Sequence, residues 1–206
     1  MTYRQIRDRV LMLLNQYSIA GGKIKVTYNN QADYLARVPG AVNDALVYLA
    51  TTARRLRQVR ELAEAEPVGR WRVYALPEDC WQVCAGGLLR LGTDGSAERC
   101  GSFRLLGEDR IAVPADLGGG KWMLEYFRYP ALLREMPEDG DRVDCPPECA
   151  AAVACYAAAQ LAALDDASLQ AALYNEFENR LSRLGELPAA SREEICNVYG
   201  GWEAME

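Results

Sequence analysis

Seven cysteines are the residues of this sequence with the most evident chemical potential. Four of them form two CxxxC pairs, Cys80 with Cys84 and Cys145 with Cys149, and four thiolates can hold zinc tetrahedrally. The CxxC spacing common in structural zinc sites is absent, and an odd number of cysteines does not suit a disulfide framework. We therefore expect reduced thiols that pack as small hydrophobic residues, with a zinc site as the alternative.

Histidine is absent, which removes the commonest general base and the usual partner of a nucleophilic serine or cysteine. Carboxylate chemistry remains open, and a hydrolase would need two acids in one cleft. The candidate acids are Asp109, Asp116, Glu125, Asp139 and Asp141. Because acids on loops usually face solvent, we expect no enzyme and no cofactor, and keep the hydrolase as an alternative.

The length, apolar content and net charge of the chain limit the classes of protein to which it can belong. The chain has 206 residues, half of them apolar, which is enough for one sizeable core or a core with a small second lobe. A net charge of −6 argues against general nucleic-acid binding, which needs clustered Lys and Arg. Residues 2–9 are polar and no apolar run reaches the roughly 20 residues that span a bilayer. We expect a soluble protein made in a cytoplasm, without specific nucleic-acid or membrane partners.

Two helices are predicted between residues 146 and 184. Pro146 and Pro147 suit the first turn of a helix, and the alanines that follow allow a neighbouring backbone to approach closely. Asp165 and Asp166 end this helix and cap the next one. The second helix carries an i, i+4 stripe of Leu169, Leu173, Phe177 and Leu181. The short linker predicts an antiparallel helical hairpin.

The N-terminal part is also predicted to be helical. Thr2 and Gln5 form a capping box for a helix over residues 2–18, and a second helix is predicted from Pro39 to about residue 56. Cations crowd the C-terminal end of this second helix, where they complement its dipole: Arg54, Arg55, Arg57 and Arg60. They form either a solvated helix end or a contact with acids of a neighbouring subunit, such as Glu61, Glu64 and Glu66.

The middle of the chain follows a period of two. Residues 70–74, 101–106, 110–113 and 121–126 read as short strands, and glycines such as Gly86 and Gly87 mark turns between them. Short strands joined by tight turns predict an antiparallel meander or small sandwich. Residues 23–28 also alternate and predict a short strand or extended loop.

The last residues form a separate element. Ser191 and Glu194 make a capping box for a short helix whose apolar face is Ile195, Val198, Tyr199 and Trp202. A helix of this length is stable only when its apolar face packs on something. The sequence leaves open whether it packs on its own protein or on a partner.

Together these elements predict an α+β fold. We expect a helical bundle, made of the N-terminal helices and the C-terminal antiparallel hairpin, with an inserted antiparallel β lobe. Residues 1–56 and 144–190 would form the helical body, residues 57–143 the β-rich lobe, and residues 191–206 a C-terminal docking arm.

This order of elements resembles the head-to-tail connector, or adaptor, proteins of tailed bacteriophages. Several segments are similar to that family: VPGAVNDA at residues 38–45, LPED at 76–79, YFRYP at 126–130 and YNEFE at 174–178. The resemblance implies a structural virion protein, assembled in the host cytoplasm, that forms a ring of twelve copies on the portal and links it to tail proteins.

The resemblance also implies that the last 20 or so residues grip the portal through Ile195, Val198, Tyr199 and Trp202. The isolated chain could then be a monomer that forms a ring on docking. The alternative function is a non-viral protein-interaction or ligand-binding module, which would be favoured if exposed Trp71, Trp81 and Trp122 shared one groove.

Overall fold

The computed structural model describes residues 1–14, 30–63, 66–92, 96–117, 120–163 and 165–185. Over these ranges the chain forms four α-helices: α1 (Tyr3–Leu13), α2 (Asn30–Thr52), α3 (Ala150–Ala162) and α4 (Ala167–Gly185). Eight strands lie between α2 and α3: β1 (Leu56–Glu61), β2 (Glu66–Val68), β3 (Trp71–Ala75), β4 (Cys80–Leu91), β5 (Ala97–Cys100), β6 (Arg104–Leu106), β7 (Arg110–Pro114) and β8 (Lys121–Arg128). Within the same ranges, no helix has the length and hydropathy needed to cross a membrane.

Local capping fixes the starts of two helices. The Thr2 hydroxyl accepts a hydrogen bond from the Gln5 backbone N–H, and the Gln5 side chain accepts one from the Thr2 backbone N–H, so the predicted capping box is confirmed. At α4 the Asp166 carboxylate accepts from the Leu169 N–H at 2.9 Å, as its predicted capping role requires.

Helix α3 lies at the centre of the helical part. It packs against α1, α2 and α4, and its alanines are buried on almost every side. Small side chains allow three neighbouring helices to approach one axis closely. An aromatic cluster closes one side, where the Phe177 ring of α4 lies 5.1 Å from Tyr156 of α3 and 5.7 Å from Tyr48 of α2.

The strands form two antiparallel four-stranded sheets. Sheet 1 has the order β1-β8-β4-β5 and sheet 2 the order β2-β3-β7-β6. Alternate side chains from the two sheets meet in a hydrophobic β core of their own, which includes Tyr74, Trp122, Tyr126, Leu88, Ile111 and Leu124. The opposite side of sheet 1, called the outer face below, carries the other half of the alternating residues.

Residues 129–149 connect the sheets to the helices and are held by specific polar contacts. The Asn43 amide brackets the backbone of Leu133, accepting from its N–H at 2.8 Å and donating to its carbonyl at 3.0 Å. Arg128, at the end of β8, forms a two-pronged ion pair with Asp144. Paired, partly buried contacts of this kind fix the path of the segment.

The predicted fold, a helical bundle with a C-terminal hairpin and an inserted β lobe, is wrong. The β content is large, because eight strands form two complete sheets around a separate core. Helix α3 is also not one arm of a simple hairpin, since it is the central helix and contacts α1 and α2 as well as α4. Strand pairs distant in sequence, such as β1 with β8, were not visible from local patterns.

Several boundaries differ from the prediction. Helix α2 begins at Asn30 with Pro39 inside it and ends at Thr52, so Arg57 lies on strand β1 and not on a helix end. The Gly86–Gly87 pair lies inside β4 and makes no turn. Residues 15–18, the predicted strand at 23–28 and the predicted helix near Ile195 lie outside the described residues.

Candidate interaction surface

Antiparallel register defines the outer face of sheet 1. Val59 of β1 lies opposite Glu125 of β8, and Leu89 of β4 lies opposite Met123. Directly opposed residues share one face of a sheet, so these four side chains lie together. Val59 is 46% exposed, and Leu89 and Met123 are only partly buried. The outer face is therefore an apolar surface that the rest of the described chain leaves open to solvent.

Glu125 lies at the centre of the outer face and is only 8% exposed. The Arg57 guanidinium contacts its Oε1 at 2.6 Å, and the Arg99 guanidinium lies 3.6 Å from its Oε2. This hydrogen bond raises the pKa of Arg57. Burying a carboxylate is unfavourable unless it is paired, so the two arginines are what permit Glu125 to sit within the sheet.

Strand β4 has an irregular backbone where it passes Glu125. Its register with β8 shifts between Val83 and Leu88, which marks a bulge. Gly86 adopts a positive φ of 64°, and a Cβ on Gly87 would lie 2.3 Å from the Glu125 carbonyl oxygen. Only glycine allows this close approach of two backbones. The Gly86–Gly87 pair, which was predicted to mark a turn, instead lies in the bulge that brings β4 against Glu125.

Aromatic side chains border one end of the outer face. The Arg55 guanidinium lies 5.1 Å from the ring centre of Phe127 and 5.7 Å from that of Trp81. A cation over an aromatic face is attracted by the ring's negative charge density. Arg55 thereby adds a cation to the border of the outer face, because its guanidinium lies over the rings while the residue remains exposed.

The four arginines predicted as partner-binding residues do not form one cluster at a helix end. Arg54 pairs with Glu148 at 3.1 Å, Arg55 stacks on aromatic rings, and Arg57 pairs with Glu125. Arg60 lies 3.9 Å from Asp79 and is 53% exposed, so its ion pair is the longest of the three that these arginines form. Ile195, Val198, Tyr199 and Trp202 lie outside the described residues.

Four of the five acids considered for a hydrolase form ion pairs with arginines: Asp109, Glu125, Asp139 and Asp141. Asp139 pairs with Arg7, Asp141 accepts from Arg134 at 3.0 Å, and Glu125 is held by two arginines. The hydrogen bond from Arg134 lowers the pKa of Asp141. An open groove of about 790 Å³ between the sheets has Glu61 as the one acid among its described lining residues, and this acid pairs with Lys121. The described geometry offers no carboxylate pair for hydrolysis in this groove.

The cysteine pairs do not converge on a metal position. In the described part of the chain no three His, Cys, Asp or Glu side chains are placed to hold one ion. The described cysteines form no disulfide, and burial raises the pKa of the Cys84 and Cys155 thiols. A thiol with a raised pKa is a poor nucleophile and metal ligand, so these two cysteines pack as small apolar residues.

The three tryptophans singled out from the sequence have different surroundings. Trp122 is 2% exposed inside the β core, and Trp81 lies at the end of the outer face. Trp71, on sheet 2, lies between Arg70 and Arg104, whose guanidinium carbons are 5.6 Å and 5.1 Å from its ring centre. The three tryptophans therefore do not form the common groove that would favour the ligand-binding alternative.

Sequence reasoning missed the residues that build the outer face. Glu125 was predicted only as a candidate acid of the hydrolase alternative, Gly87 was predicted to mark a turn, and Arg99 and Val59 had no predicted role. A Gly-Gly pair inside the apolar run of residues 83–91 is the available signal, because glycines within a strand often mark a bulge. No known protein-family model matches the chain, and no curated protein is significantly similar to it.

Proposed function

We propose that this protein is a structural subunit of a tailed-bacteriophage connector, which assembles as a ring on the portal and links it to tail proteins. The proposal rests on the order of elements, on the segments that resemble that family, and on a surface suited to contact with copies of itself. Its main structural support is strand β1, a six-residue edge of sheet 1 that carries exposed charges.

Edge strands can pair with other chains, and exposed charges normally prevent that pairing. On β1 the charged side chains Arg57 and Arg60 are both more than half exposed. If a neighbouring subunit presented acidic side chains to β1, these arginines would attract that subunit and form a specific contact. Closed rings use such heterologous contacts, in which two different faces of each subunit meet.

An acidic counterpart is present at the edge of the other sheet. Strand β2 is the edge strand of sheet 2, and Glu66 at its start is exposed. Arg60 is the best partner for it, because its own ion pair with Asp79 spans 3.9 Å and leaves most of the guanidinium in solvent. Arg57 is less suitable, since Glu125 already holds it at 2.6 Å.

A charge swap tests this contact. Arg60→Glu and Glu66→Arg should each reduce ring formation on the portal encoded by the same genome, and the double variant should restore it. Arg110→Glu is the control, because its side chain is 56% exposed on sheet 2 and it too lies beside an acid, Asp109. Ring occupancy is counted by electron microscopy of the mixture.

Two results would count against the proposal. If no variant changes ring occupancy, the β1–β2 contact is wrong. If the unaltered chain forms no complex with the portal, the connector function itself is wrong. Truncation after residue 187 examines the portal-gripping arm separately: portal affinity that survives this truncation excludes that role for Ile195, Val198, Tyr199 and Trp202.

A further inference from the structure

The outer face combines apolar side chains with a basic rim. Its centre includes Val59, Leu89, Leu91 and Met123, all at least partly exposed and on the same side of sheet 1 by register. A surface with several adjacent apolar side chains exposed is more typical of a contact than of a solvated sheet. The proposed contact between β1 of one subunit and β2 of the next does not explain this apolar centre, because that contact lies in the plane of the sheet.

The charges around this centre are unbalanced. Four cations and two anions lie on this face, with Glu125 at its centre and the others around it: Arg55, Arg57, Arg99, Lys121, Glu61 and Glu125. The chain as a whole has a net charge of −6, so a basic face is unusual for this protein. A binding partner for this face should be acidic as well as apolar.

Residues 186–206 of the same chain have this chemistry. This segment holds five Glu and one Arg, and therefore carries four of the six net negative charges of the protein. Its apolar residues are Leu187, Ile195, Val198, Tyr199, Trp202 and Met205. The segment thus complements the outer face both in charge and in hydrophobicity.

The position of the end of α4 allows this docking. Helices α3 and α4 are in contact, and because only residues 163–166 separate them, the two helices run antiparallel. The end of α4 therefore lies at the start of α3, where Glu148 pairs with Arg54. Arg55, the next residue, already lies over Phe127 at the border of the outer face.

The length of the segment is ample. Twenty-one residues follow Gly185, and an extended chain of that length reaches roughly 70 Å at about 3.3 Å per residue. A sheet of four strands spaced about 4.8 Å apart is only about 15 Å wide. The segment can cross the whole outer face and still include a helical turn.

We propose that residues 186–206 dock on the outer face of sheet 1 of their own chain. The acidic side chains contact the arginine rim, and the apolar side chains cover Val59 and Met123. Docking requires only this chain, and its test is independent of the portal. The other possible occupants, a second copy or a separate acidic partner, are outcomes that the experiment distinguishes.

Trypsin cleavage provides the assay, because Arg192 is the single Lys or Arg within residues 186–206. Docking should protect the bond after Arg192 in the full-length folded chain. Val59→Asp places a negative charge at the centre of the basic face and should speed this cleavage about fivefold, the effect of losing one modest surface contact. Val59→Ile keeps an apolar side chain at the same position and should leave cleavage close to the unaltered rate.

Val68→Asp is the matched control. Val68 is 54% exposed on β2, compared with 46% for Val59, and it lies on the other sheet. Its cleavage rate should equal that of the unaltered chain. Equal rates in all four proteins would overturn the proposal, and so would equal acceleration by Val59→Asp and Val68→Asp, which would indicate a general loss of stability.

Protein concentration separates docking within a chain from docking between chains. Protection within one chain is independent of concentration over about a hundredfold range, because the effective concentration of a tethered segment is fixed by its linker. Protection that increases with concentration would assign the segment to a second copy and overturn the proposal. Protection that appears only on addition of another acidic protein would overturn it as well.

Discussion

The Arg57–Glu125 ion pair should stabilise the fold, and the cost of replacing either residue should depend on whether the other is present. Glu125 is 8% exposed, and Arg57 contacts it at 2.6 Å while remaining half exposed. Removing one partner of a fully buried pair costs about 3–5 kcal/mol. This pair should cost less, because water reaches Arg57 and because Arg99 still lies 3.6 Å from the carboxylate.

We expect Arg57→Met to lower the free energy of unfolding by about 2 kcal/mol, since it leaves a buried charge with one distant partner. Glu125→Gln should cost about 1 kcal/mol, because the amide keeps one acceptor and removes the charge. The double variant should cost about 2 kcal/mol, less than the sum, which gives a coupling energy of about 1 kcal/mol.

Urea unfolding followed by circular dichroism measures each value, with unchanged m-values as the sign that the denatured state is comparable. Arg60→Met is the control, because its side chain has similar exposure and its ion pair spans 3.9 Å. It should cost less than about 0.5 kcal/mol. Additive effects of Arg57→Met and Glu125→Gln would refute the assignment of Glu125 as a buried charge that depends on Arg57.

The bulge and the connecting segment give two further predictions. Gly87→Ala should destabilise the chain by about 3 kcal/mol or more, because its Cβ would lie 2.3 Å from the Glu125 carbonyl oxygen. Gly40→Ala, in α2 with no neighbour within 4 Å of the new Cβ, should instead stabilise by up to about 1 kcal/mol in thermal unfolding. The hydrogen bonds from Arg128 lower the pKa of Asp144, so this pair stabilises the fold at neutral pH and the effect is lost as pH falls through the folded pKa. Unfolding free energies measured from pH 7 down to about pH 3 should therefore show a steeper loss for the unaltered chain than for Asp144→Asn.

Local signals in the sequence predicted local structure well. The capping box of Thr2 and Gln5 and the capping Asp166 involve residues three positions apart, and each is present as expected. The alternation of residues 121–126 also predicted a strand, and β8 covers Lys121–Arg128 with alternate side chains such as Trp122 and Leu124 in the core. In each case the interaction that decides the structure lies within a few residues or one strand.

Non-local structure could not be predicted in the same way. Strand β1 reads LRQVRE and shows weak alternation, because it is an edge strand whose residues are mostly exposed. Its partner β8 lies more than 60 residues later, and no local pattern specifies that pairing. The prediction therefore extended a helix to about residue 56 and underestimated the sheets.

The outer face could not be predicted from the sequence for a related reason. Glu125 occupies a position of β8 that alternation assigns to solvent, together with Lys121 and Met123. Its burial depends on Arg57 from one neighbouring strand, on Arg99 from beyond the other, and on the approach of Gly87. A buried charge at an outward position becomes visible only when all of these strands are paired.

The two proposed contacts use different parts of β1 and are compatible. Arg57 and Val59 point to the outer face, where residues 186–206 would dock, whereas Arg60 alternates to the other side. The backbone edge of the strand lies between them. A subunit could therefore retain its docked segment while β1 contacts a neighbour, provided that Arg57 remains paired with Glu125. Disrupting that pair should weaken both contacts, whereas the charge swap at Arg60 should affect ring assembly alone.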